Sequence, residues 1–275
     1  MAAVPWHSGP VSADDDKVDR LARVRREPPA FRRVAVEEVE PLSPHMLRIV
    51  FVGDELDGFA VPSPASSVRL LLPPPGEAQI VMPTWTGNQF ELPNGDRAPI
   101  RTFTPRAFDP DRLALTLDFV LHERGAASDW ARQATPGDVV AISGPGRSED
   151  LDAGAQSFLL VGDETALPAI GQLLETLDDG HTIEVHVEVR SGDARIELPA
   201  RPGATVIWHE AGVGAAPGAA MVAAVLGLDE LPDAVWVAGE AAAVQQLRKH
   251  LFDERGRARS NVTARGYWKQ GRSAT

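Results

Sequence analysis

The hydrophobic pattern changes near the middle of the chain, and this change constrains the fold more than any other sequence feature. From residue 34 to residue 143, short β-branched and aliphatic runs are separated by Pro, Gly and Asp clusters. Regularly spaced short strands with such turns are typical of an antiparallel barrel or sandwich. From residue 158 onwards, apolar strands alternate with helical patterns, which indicates a parallel sheet with crossover helices. The sequence therefore predicts two domains of different architecture.

A polar stretch separates the two patterns. Residues 145–156 are rich in Gly, Asp and Ser, and a chain of 275 residues suits two domains. Residues 1–29 carry charge, small residues and prolines without an apolar pattern, so we expect a mobile arm there. We place a β-barrel domain at residues 30–150 and an α/β domain at residues 151–275, which ends in a basic C-terminal tail.

Composition excludes several classes of protein. The chain has no cysteine, which removes disulfides, a thiol nucleophile, a thiolate zinc site and an all-cysteine iron–sulfur cluster. A net charge of −12 argues against nucleic-acid binding, and no apolar run is long enough for membrane insertion. The seven histidines show no metal-ligand spacing. We expect a cytoplasmic monomer without a protein-bound metal, in which any electron transfer uses an organic cofactor.

The segment Arg101-Thr102-Phe103-Thr104 is the most informative motif. In an extended strand, Arg101 and Phe103 point to one side, and Thr102 and Thr104 point to the other. A guanidinium can hold a phosphate through paired hydrogen bonds, and an aromatic ring can lie against another ring system. The alternative interpretation is an ordinary barrel strand with solvated arginines.

A second candidate lies at the end of the next alternating strand. Asp118, Val120 and His122 share one face of residues 115–122, opposite an apolar face. Ala127 and Ser128 follow at the start of a short helix, where exposed backbone N–H groups can bind an anion. The alternative is a plain junction between a loop and a helix.

Two strand ends in the second domain form a third candidate. Gly162, Asp163, Glu164 and Thr165 join a buried strand to a helix; the glycine allows close backbone approach and the threonine can cap the helix. Gly239-Glu240 repeats this arrangement at another strand end. Open parallel sheets bind ligands beyond these ends, so a nucleotide pyrophosphate suits the site. The alternative for Gly239 is a strand exit with a flexible glycine.

The basic tail is the last feature. Residues 248–272 contain eight basic and two acidic residues in an otherwise acidic chain. The tail is either a solvated basic helix end or a surface that attracts an anionic substrate or cofactor.

These segments, in this order, resemble the siderophore-interacting proteins, a branch of the ferredoxin-reductase-like flavoproteins. The resemblance spans residues 31–271 and rests on residues 42–48, 68–73, 101–106, 118–122, 127–131, 162–170, 236–240 and 266–269. It implies a six-stranded antiparallel barrel that binds FAD and an α/β parallel-sheet domain that binds NADPH or NADH. The implied activity is reduction of ferric siderophores, which releases iron as Fe(II).

The resemblance also implies roles for individual residues. On the barrel, Arg101 would bind FAD phosphate, Phe103 would pack on the isoalloxazine, and Thr104 would face its N5 edge. Tyrosine is usual where Phe103 stands. The flavin and adenine side would be formed by Asp118, Val120 and His122, and the pyrophosphate would meet Ala127 and Ser128.

The second domain would bind the nucleotide at residues 162–165 and at Gly239 and Glu240. Trp268 would cover the flavin until the nicotinamide displaces it. Arg190 and Ser191 lie where related folds place a 2′-phosphate, which favours NADPH over NADH. An anionic ferric siderophore would be held by Arg69, Arg265 and Lys269.

No side chain is expected to act as acid, base or nucleophile, because the flavin supplies the chemistry. Two alternatives remain at this point. One is a flavin reductase for another acceptor, and the other is a siderophore-binding or iron-delivery module without turnover.

Overall fold

The computed structural model describes residues 28–123, 125–146 and 154–271. The predicted arm, residues 1–29, lies outside this part of the chain except for its last two residues. Among the described residues, no helix combines the length and the apolar content needed to cross a membrane. The same residues contain no group of three or more His, Asp or Glu side chains arranged to hold a metal ion.

The first domain is a curled antiparallel sheet. Its strands are β1 (Phe31–Ser43), β2 (Met46–Val52), β3 (Val68–Leu71), β4 (Thr84–Trp85), β5 (Phe90–Glu91), β6 (Ile100–Phe103), β7 (Pro105–Asp109), β8 (Ala114–Val120) and β9 (Val139–Ser143), with one helix, α1 (Ala126–Ala131). Seven of them pair in the order β6-β3-β9-β1-β2-β8-β7, and β4 pairs with β5 in a separate hairpin. β6 and β7 are the two edges of this order, yet only Thr104 separates them in the chain. The predicted antiparallel barrel is confirmed as a sheet curled until its edges meet; the seventh strand arises because the chain bends at Thr104.

Alternation along β2 and β8 builds the core of this domain. Ile49, Phe51, Leu115, Leu117 and Phe119 are at most 1% exposed, and the register places Ile49 opposite Leu117. Burial of each such side chain contributes about 1.5–3 kcal/mol. The intervening positions face away from the barrel core and are free to carry polar groups.

The second domain is a five-stranded parallel sheet between helices, as predicted. Its elements are β10 (Ser157–Asp163), α2 (Leu167–Thr176), β11 (Thr182–Val189), β12 (Ala204–Glu210), α3 (Ala219–Leu226), β13 (Ala234–Glu240), α4 (Ala241–Lys249) and β14 (Val262–Trp268), in the strand order β12-β11-β10-β13-β14. Both faces of β10 are covered: Phe158 and Leu160 pack in one apolar cluster, and Leu159 and Val161 in another. Such two-sided burial is typical of a parallel sheet.

Part of the basic tail has a structural role. Within it, Val262–Trp268 forms β14, an edge strand parallel to β13. Arg255 donates to the carbonyls of Leu228 and Asp229 at 3.0 and 2.7 Å, and Arg257 donates to the carbonyl of Pro232 at 2.6 Å. These two cations hold a neighbouring loop, and the attraction of an anionic substrate or cofactor by the rest of the tail stays a prediction.

The two domains meet through side chains of α2. Arg106 on β7 donates to both carboxylate oxygens of Glu175, at 2.9 and 2.6 Å, and Ala65 N–H donates to Gln172 Oε1 at 2.9 Å. A Cβ at Gly171 would lie 3.1 Å from Arg106 Nε, so the glycine leaves room for the arginine. This contact holds the barrel against α2.

Candidate functional site

One buried carboxylate joins the ends of three neighbouring strands. Asp163, the last residue of β10, accepts the Thr165 N–H and hydroxyl at Oδ1, at 2.9 and 2.5 Å. Its Oδ2 accepts the Glu240 N–H at 2.8 Å and Trp268 Nε1–H at 2.7 Å. Glu240 ends β13 and Trp268 ends β14. Four predicted site residues are thus brought together at the carboxyl edge of the sheet.

The electrostatics of Asp163 follow from this burial. Burial raises the pKa of Asp163 above its usual range, although the hydrogen bonds from Thr165 and Trp268 partly offset the rise. The cap of the following helical turn is Asp163, since its side chain accepts the Thr165 N–H. The prediction that Thr165 caps this turn is therefore wrong, because both donors of Thr165 are directed to Asp163.

The two glycines at this edge are required by internal packing. A Cβ at Gly162 would lie 2.4 Å from Ala166 Cβ and 3.0 Å from the Ala238 carbonyl oxygen. Gly239 has a φ of 149°, and a Cβ there would lie 2.6 Å from Asp163 Oδ2. The space that we expected to admit a ligand beside Gly162 is filled by the protein itself.

Glu240 has its own set of donors. It caps α4 by accepting the N–H groups of Ala242 at 2.5 Å and Ala243 at 3.1 Å, and it accepts the Gln270 N–H at 3.2 Å. Burial alone would raise the pKa of Glu240, but these backbone bonds outweigh it and the pKa lies below the usual range. The carboxylate remains negative at neutral pH.

Glu164 and Arg190 form a second ion pair close to Asp163. Arg190 donates through its backbone N–H, Nε and Nη2 to Glu164 at 2.7–3.0 Å, and through Nη1 to the Leu121 carbonyl at 2.9 Å. The guanidinium is thus neutralised by a carboxylate and bonded to the barrel. The 2′-phosphate role predicted for Arg190 is not supported by this geometry.

On the barrel, the motif on β6 shows the predicted alternation only up to Phe103. Thr102 is exposed between the half-buried Arg101 and Phe103, whereas Thr104 is only 8% exposed. Thr104 does not follow Thr102 because the strand is interrupted there, and its side chain lies close to that of Tyr267 on β14. The Phe103 ring lies 4.5 Å from that of Phe119. Arg101 Nη1 donates to the Ile100 carbonyl at 2.9 Å, and burial lowers the pKa of Arg101.

The exit of β8 is fixed by Ser128. Its Oγ donates to the Val120 carbonyl at 3.3 Å and accepts the His122 N–H at 3.0 Å, so three predicted residues meet here. These two bonds occupy the hydroxyl of Ser128. The backbone N–H groups of Ala127 and Ser128 are then the groups able to bind a phosphate.

Asp118 has a partner that the sequence analysis missed. Arg48 donates to its two carboxylate oxygens at 2.8 and 2.9 Å, and the Asp118 side chain is 1% exposed. The register of β2 and β8 places Arg48 opposite Asp118. Asp118 therefore supports the strand that carries Val120, and its carboxylate is already fully bonded.

The barrel and the sheet edge face each other at His122 and Trp268, whose ring centroids are 6.4 Å apart. Burial, together with the nearby Arg190 charge, lowers the pKa of His122. Tyr267, which lies close to Thr104 of the barrel, directly precedes Trp268 in the sequence. One residue predicted for the flavin side of the barrel and one predicted at the sheet edge thus meet at the junction between the domains.

The predicted substrate residues are less closely grouped. Arg69 lies on β3 opposite Thr102, Arg265 lies on β14, and Lys269 is exposed directly after β14. Their joint role in binding an anionic substrate stays a prediction.

The donors at this junction fit a dinucleotide with anionic phosphates. Gly125 precedes α1 with a φ of 153° and no capping side chain, and a Cβ there would meet no described atom within 4 Å. The first N–H groups of α1 have no side-chain cap, and Ser128 in this turn bonds to the His122 N–H. Arg101 adds a half-buried cation.

Sequence reasoning missed Arg48, Tyr267 and Gln172. Tyr267 stands next to Trp268 within one of the matching segments, which was the available signal. Arg48 lies seventy residues from its partner Asp118, so no local pattern indicates the pair.

Comparison with known proteins gives matches over both domains. The model of the siderophore-interacting FAD-binding domain matches residues 35–149, and that of the siderophore-interacting protein matches residues 155–271. The chain is similar to the NADPH-dependent ferric-chelate reductase of Escherichia coli K12, with 32% identity over 86% of this chain and 92% of the relative. It is 26% identical to the ferric vibriobactin reductase ViuB of Vibrio cholerae, over 84% of this chain and 87% of the relative.

A solved structure shares the fold. The siderophore utilization protein from T. fusca superposes with a TM-score of 0.80 at 32% identity, covering 90% of this chain and 96% of that one.

Proposed function

Because this chain belongs to the siderophore-interacting protein family, we propose that it is an FAD-dependent reductase that uses NADPH to reduce ferric siderophores and release iron as Fe(II). The observation that carries the proposal is the junction at which Trp268 of the sheet edge lies against His122 of the barrel. Residues predicted to bind the flavin and residues predicted to bind the nucleotide meet there. The names of two relatives, a ferric-chelate reductase and a ferric vibriobactin reductase, support the same reaction class.

The chemistry that bound FAD would supply is the conversion of a two-electron donation by NADPH into single-electron reduction of ferric iron. The barrel residues bind and orient FAD. Arg101 and the N–H groups of Ala127 and Ser128 hold the phosphates, and Phe103 offers its ring beside Phe119. Thr102 and Thr104 flank that ring, and Asp118, through Arg48, keeps β8 in place for Val120 and His122.

The sheet edge receives the nucleotide. Gly162, Gly239, Asp163 and Thr165 shape its floor, and Glu240 closes one side. Trp268, held by Asp163, shields the junction from water until the nicotinamide enters. We propose NADPH rather than NADH on the support of the relative from Escherichia coli, whose name states NADPH.

Arg69, Arg265 and Lys269 are proposed to hold the anionic ferric siderophore by charge. A monomeric state stays an expectation. NADPH is an intracellular reductant, which favours the cytoplasm as the site of action. The absence of nucleic-acid partners stays an expectation from the net charge of −12.

The test is an anaerobic spectrum of the purified protein with FAD. We expect NADPH to bleach the flavin, and a ferric siderophore to restore its colour while an Fe(II) trap records two Fe(II) per NADPH. Flavin that is reoxidised by quinone or free flavin but not by ferric chelates would indicate a reductase for another acceptor. Flavin that NADPH never bleaches would indicate a binding or iron-delivery module.

A further inference from the structure

Arg190, which follows β11, forms an ion pair within its own domain and also bonds to the barrel. Glu164 is 7% exposed, and its two oxygens accept the Arg190 backbone N–H at 2.7 Å, Nε at 3.0 and 2.9 Å, and Nη2 at 2.7 Å. This is the paired geometry in which guanidinium and carboxylate bind most strongly. The acceptors of Glu164 are consumed by Arg190, so this carboxylate is committed to a structural contact.

The remaining arm of Arg190 crosses to the barrel. Nη1 donates to the Leu121 carbonyl at 2.9 Å, and Leu121 directly precedes His122 in the sequence. Glu164 directly follows Asp163, which holds Trp268. One guanidinium therefore connects the backbone beside His122 to the turn beside Asp163, on the two sides of the proposed junction.

A second contact lies three residues further along. His45 Nε2 is 3.4 Å from Asp193 Oδ1, and the same oxygen accepts the Ser191 hydroxyl at 2.5 Å. On the barrel side, the Leu121 N–H donates to the His45 carbonyl at 2.8 Å. The backbones of Leu121 and His45 are thus bonded to each other. Leu121 contacts Arg190, and His45 contacts Asp193.

We propose that Arg190, through Glu164, is a positioning residue that sets the spacing between the nicotinamide and the flavin, and that it does not select the 2′-phosphate. This inference rests on the proposed function. Glu164 already neutralises the charge that would attract a phosphate. Hydride transfer requires the reacting atoms within about 3–3.5 Å, so a small shift between the domains lowers the rate steeply.

The test separates binding from transfer in Arg190→Ala, Arg190→Lys and Glu164→Gln. Anaerobic stopped-flow bleaching of bound FAD, titrated with NADPH and then with NADH, gives a dissociation constant and a limiting rate for each nucleotide. We expect Arg190→Ala to lower the limiting rate by about 10- to 100-fold with both nucleotides, and both dissociation constants to stay unchanged. Arg190→Lys keeps the charge but not the planar fork, so its loss should be smaller.

Glu164→Gln makes the test decisive. If Arg190 positions the domains, this variant also loses transfer rate. If Arg190 binds the 2′-phosphate, Glu164→Gln frees it and tightens NADPH, while Arg190→Ala weakens NADPH alone. Either of those two results would overturn the proposal.

A readout without cofactor and a matched control complete the design. Hydrogen exchange of residues 121–123 and 190–195 in the flavin-free protein should quicken in Arg190→Ala; unchanged exchange counts against the proposal. Arg201 is the control, since it donates to the Leu174 carbonyl at 2.6 Å and pairs with Asp179 at 3.5 Å, all within the second domain. Arg201→Lys should leave exchange at residues 121–123 and the limiting rate unaltered. No ferric chelate is present in these measurements, so failure of the reductase proposal would show separately, as bleached flavin that chelates do not reoxidise.

Discussion

The barrel strand β6 and the carboxyl edge of the parallel sheet present their candidate residues in different ways. On β6, Thr102 is exposed and Arg101 is half-buried. The buried pair of Arg48 and Asp118 lies elsewhere in the sheet, on β2 and β8. At the sheet edge, Thr165, Glu240 and Trp268 all donate to the Asp163 carboxylate. Arg101 thus lies apart from the pair that supports the barrel strands, whereas at the sheet edge the candidate residues are themselves the support.

This difference predicts how substitutions behave. In the barrel, one residue can be changed to affect stability and another to affect cofactor binding. At the edge, any change to a site residue also disturbs the packing of three strands.

Arg48→Ala should lower the free energy of unfolding by about 3–5 kcal/mol, because it leaves the Asp118 carboxylate buried without a partner. Urea denaturation measures this. The control is Arg112→Ala. It breaks the ion pair between Arg112 and Glu37, whose side chains are 60% and 40% exposed, respectively. Arg112→Ala should lower the free energy of unfolding by about 0–1 kcal/mol. An equal loss in the two variants would contradict the stabilising role of the buried pair of Arg48 and Asp118.

Arg101→Ala should weaken FAD binding by roughly 10- to 100-fold, since bonds to a charged phosphate are worth about 1.5–3 kcal/mol. Flavin titration of the apoprotein gives the dissociation constant. The urea midpoint of the apoprotein should stay that of the wild type. Unchanged FAD affinity would show that Arg101 is not part of the FAD site. It would also contradict the view that β6 carries a cofactor-binding residue that does not stabilise the fold.

Gly162→Ala should destabilise the protein by about 1–3 kcal/mol, because the added Cβ is forced against Ala166 and the Ala238 carbonyl. Gly180→Ala is the matched control, since a Cβ there meets nothing within 4 Å. The control should be neutral or slightly stabilising, as a less flexible unfolded chain favours folding. Identical thermal unfolding midpoints for the two variants would refute the packing role of Gly162.

Glu240→Gln gives the smallest effect, and its size depends on pH. The pKa of Glu240 is lowered in the fold, mainly because backbone N–H bonds outweigh its burial, so its ionised form stabilises the native state. This contribution is present above the ordinary glutamate range and is lost as the pH falls through the lowered pKa. The difference in urea midpoint between wild type and variant should therefore shrink in acid, and a difference that stays constant with pH would contradict the assignment.

The sequence predicted regular elements well where a single period covers the whole element. The runs at 46–52 and 139–143 coincide with β2 and β9, and the face formed by Leu167, Ile170 and Leu174 lies in α2. The hairpin of β4 and β5 was missed because two-residue strands carry no period. β14 was missed because Arg265 and Gly266 interrupt its apolar pattern.

The site was predictable as a location but not in its bonding. Carboxyl ends of parallel strands meet at one edge, so Asp163 and Glu240 were expected to be neighbours. A guanidinium binds carboxylate and phosphate equally well, so nothing in the sequence around Arg190 distinguishes Glu164 from a nucleotide. Only the fold, which brings residues 26 positions apart into contact, makes that choice.

The break at Thr104 has a mechanical meaning. This residue links the two edge strands of the curled sheet, and its side chain also lies close to Tyr267 in the other domain. A change in the position of one domain on the other would therefore reach the barrel at the point where β6 ends and β7 begins. Phe103, one residue away, is the ring that such a motion would tilt.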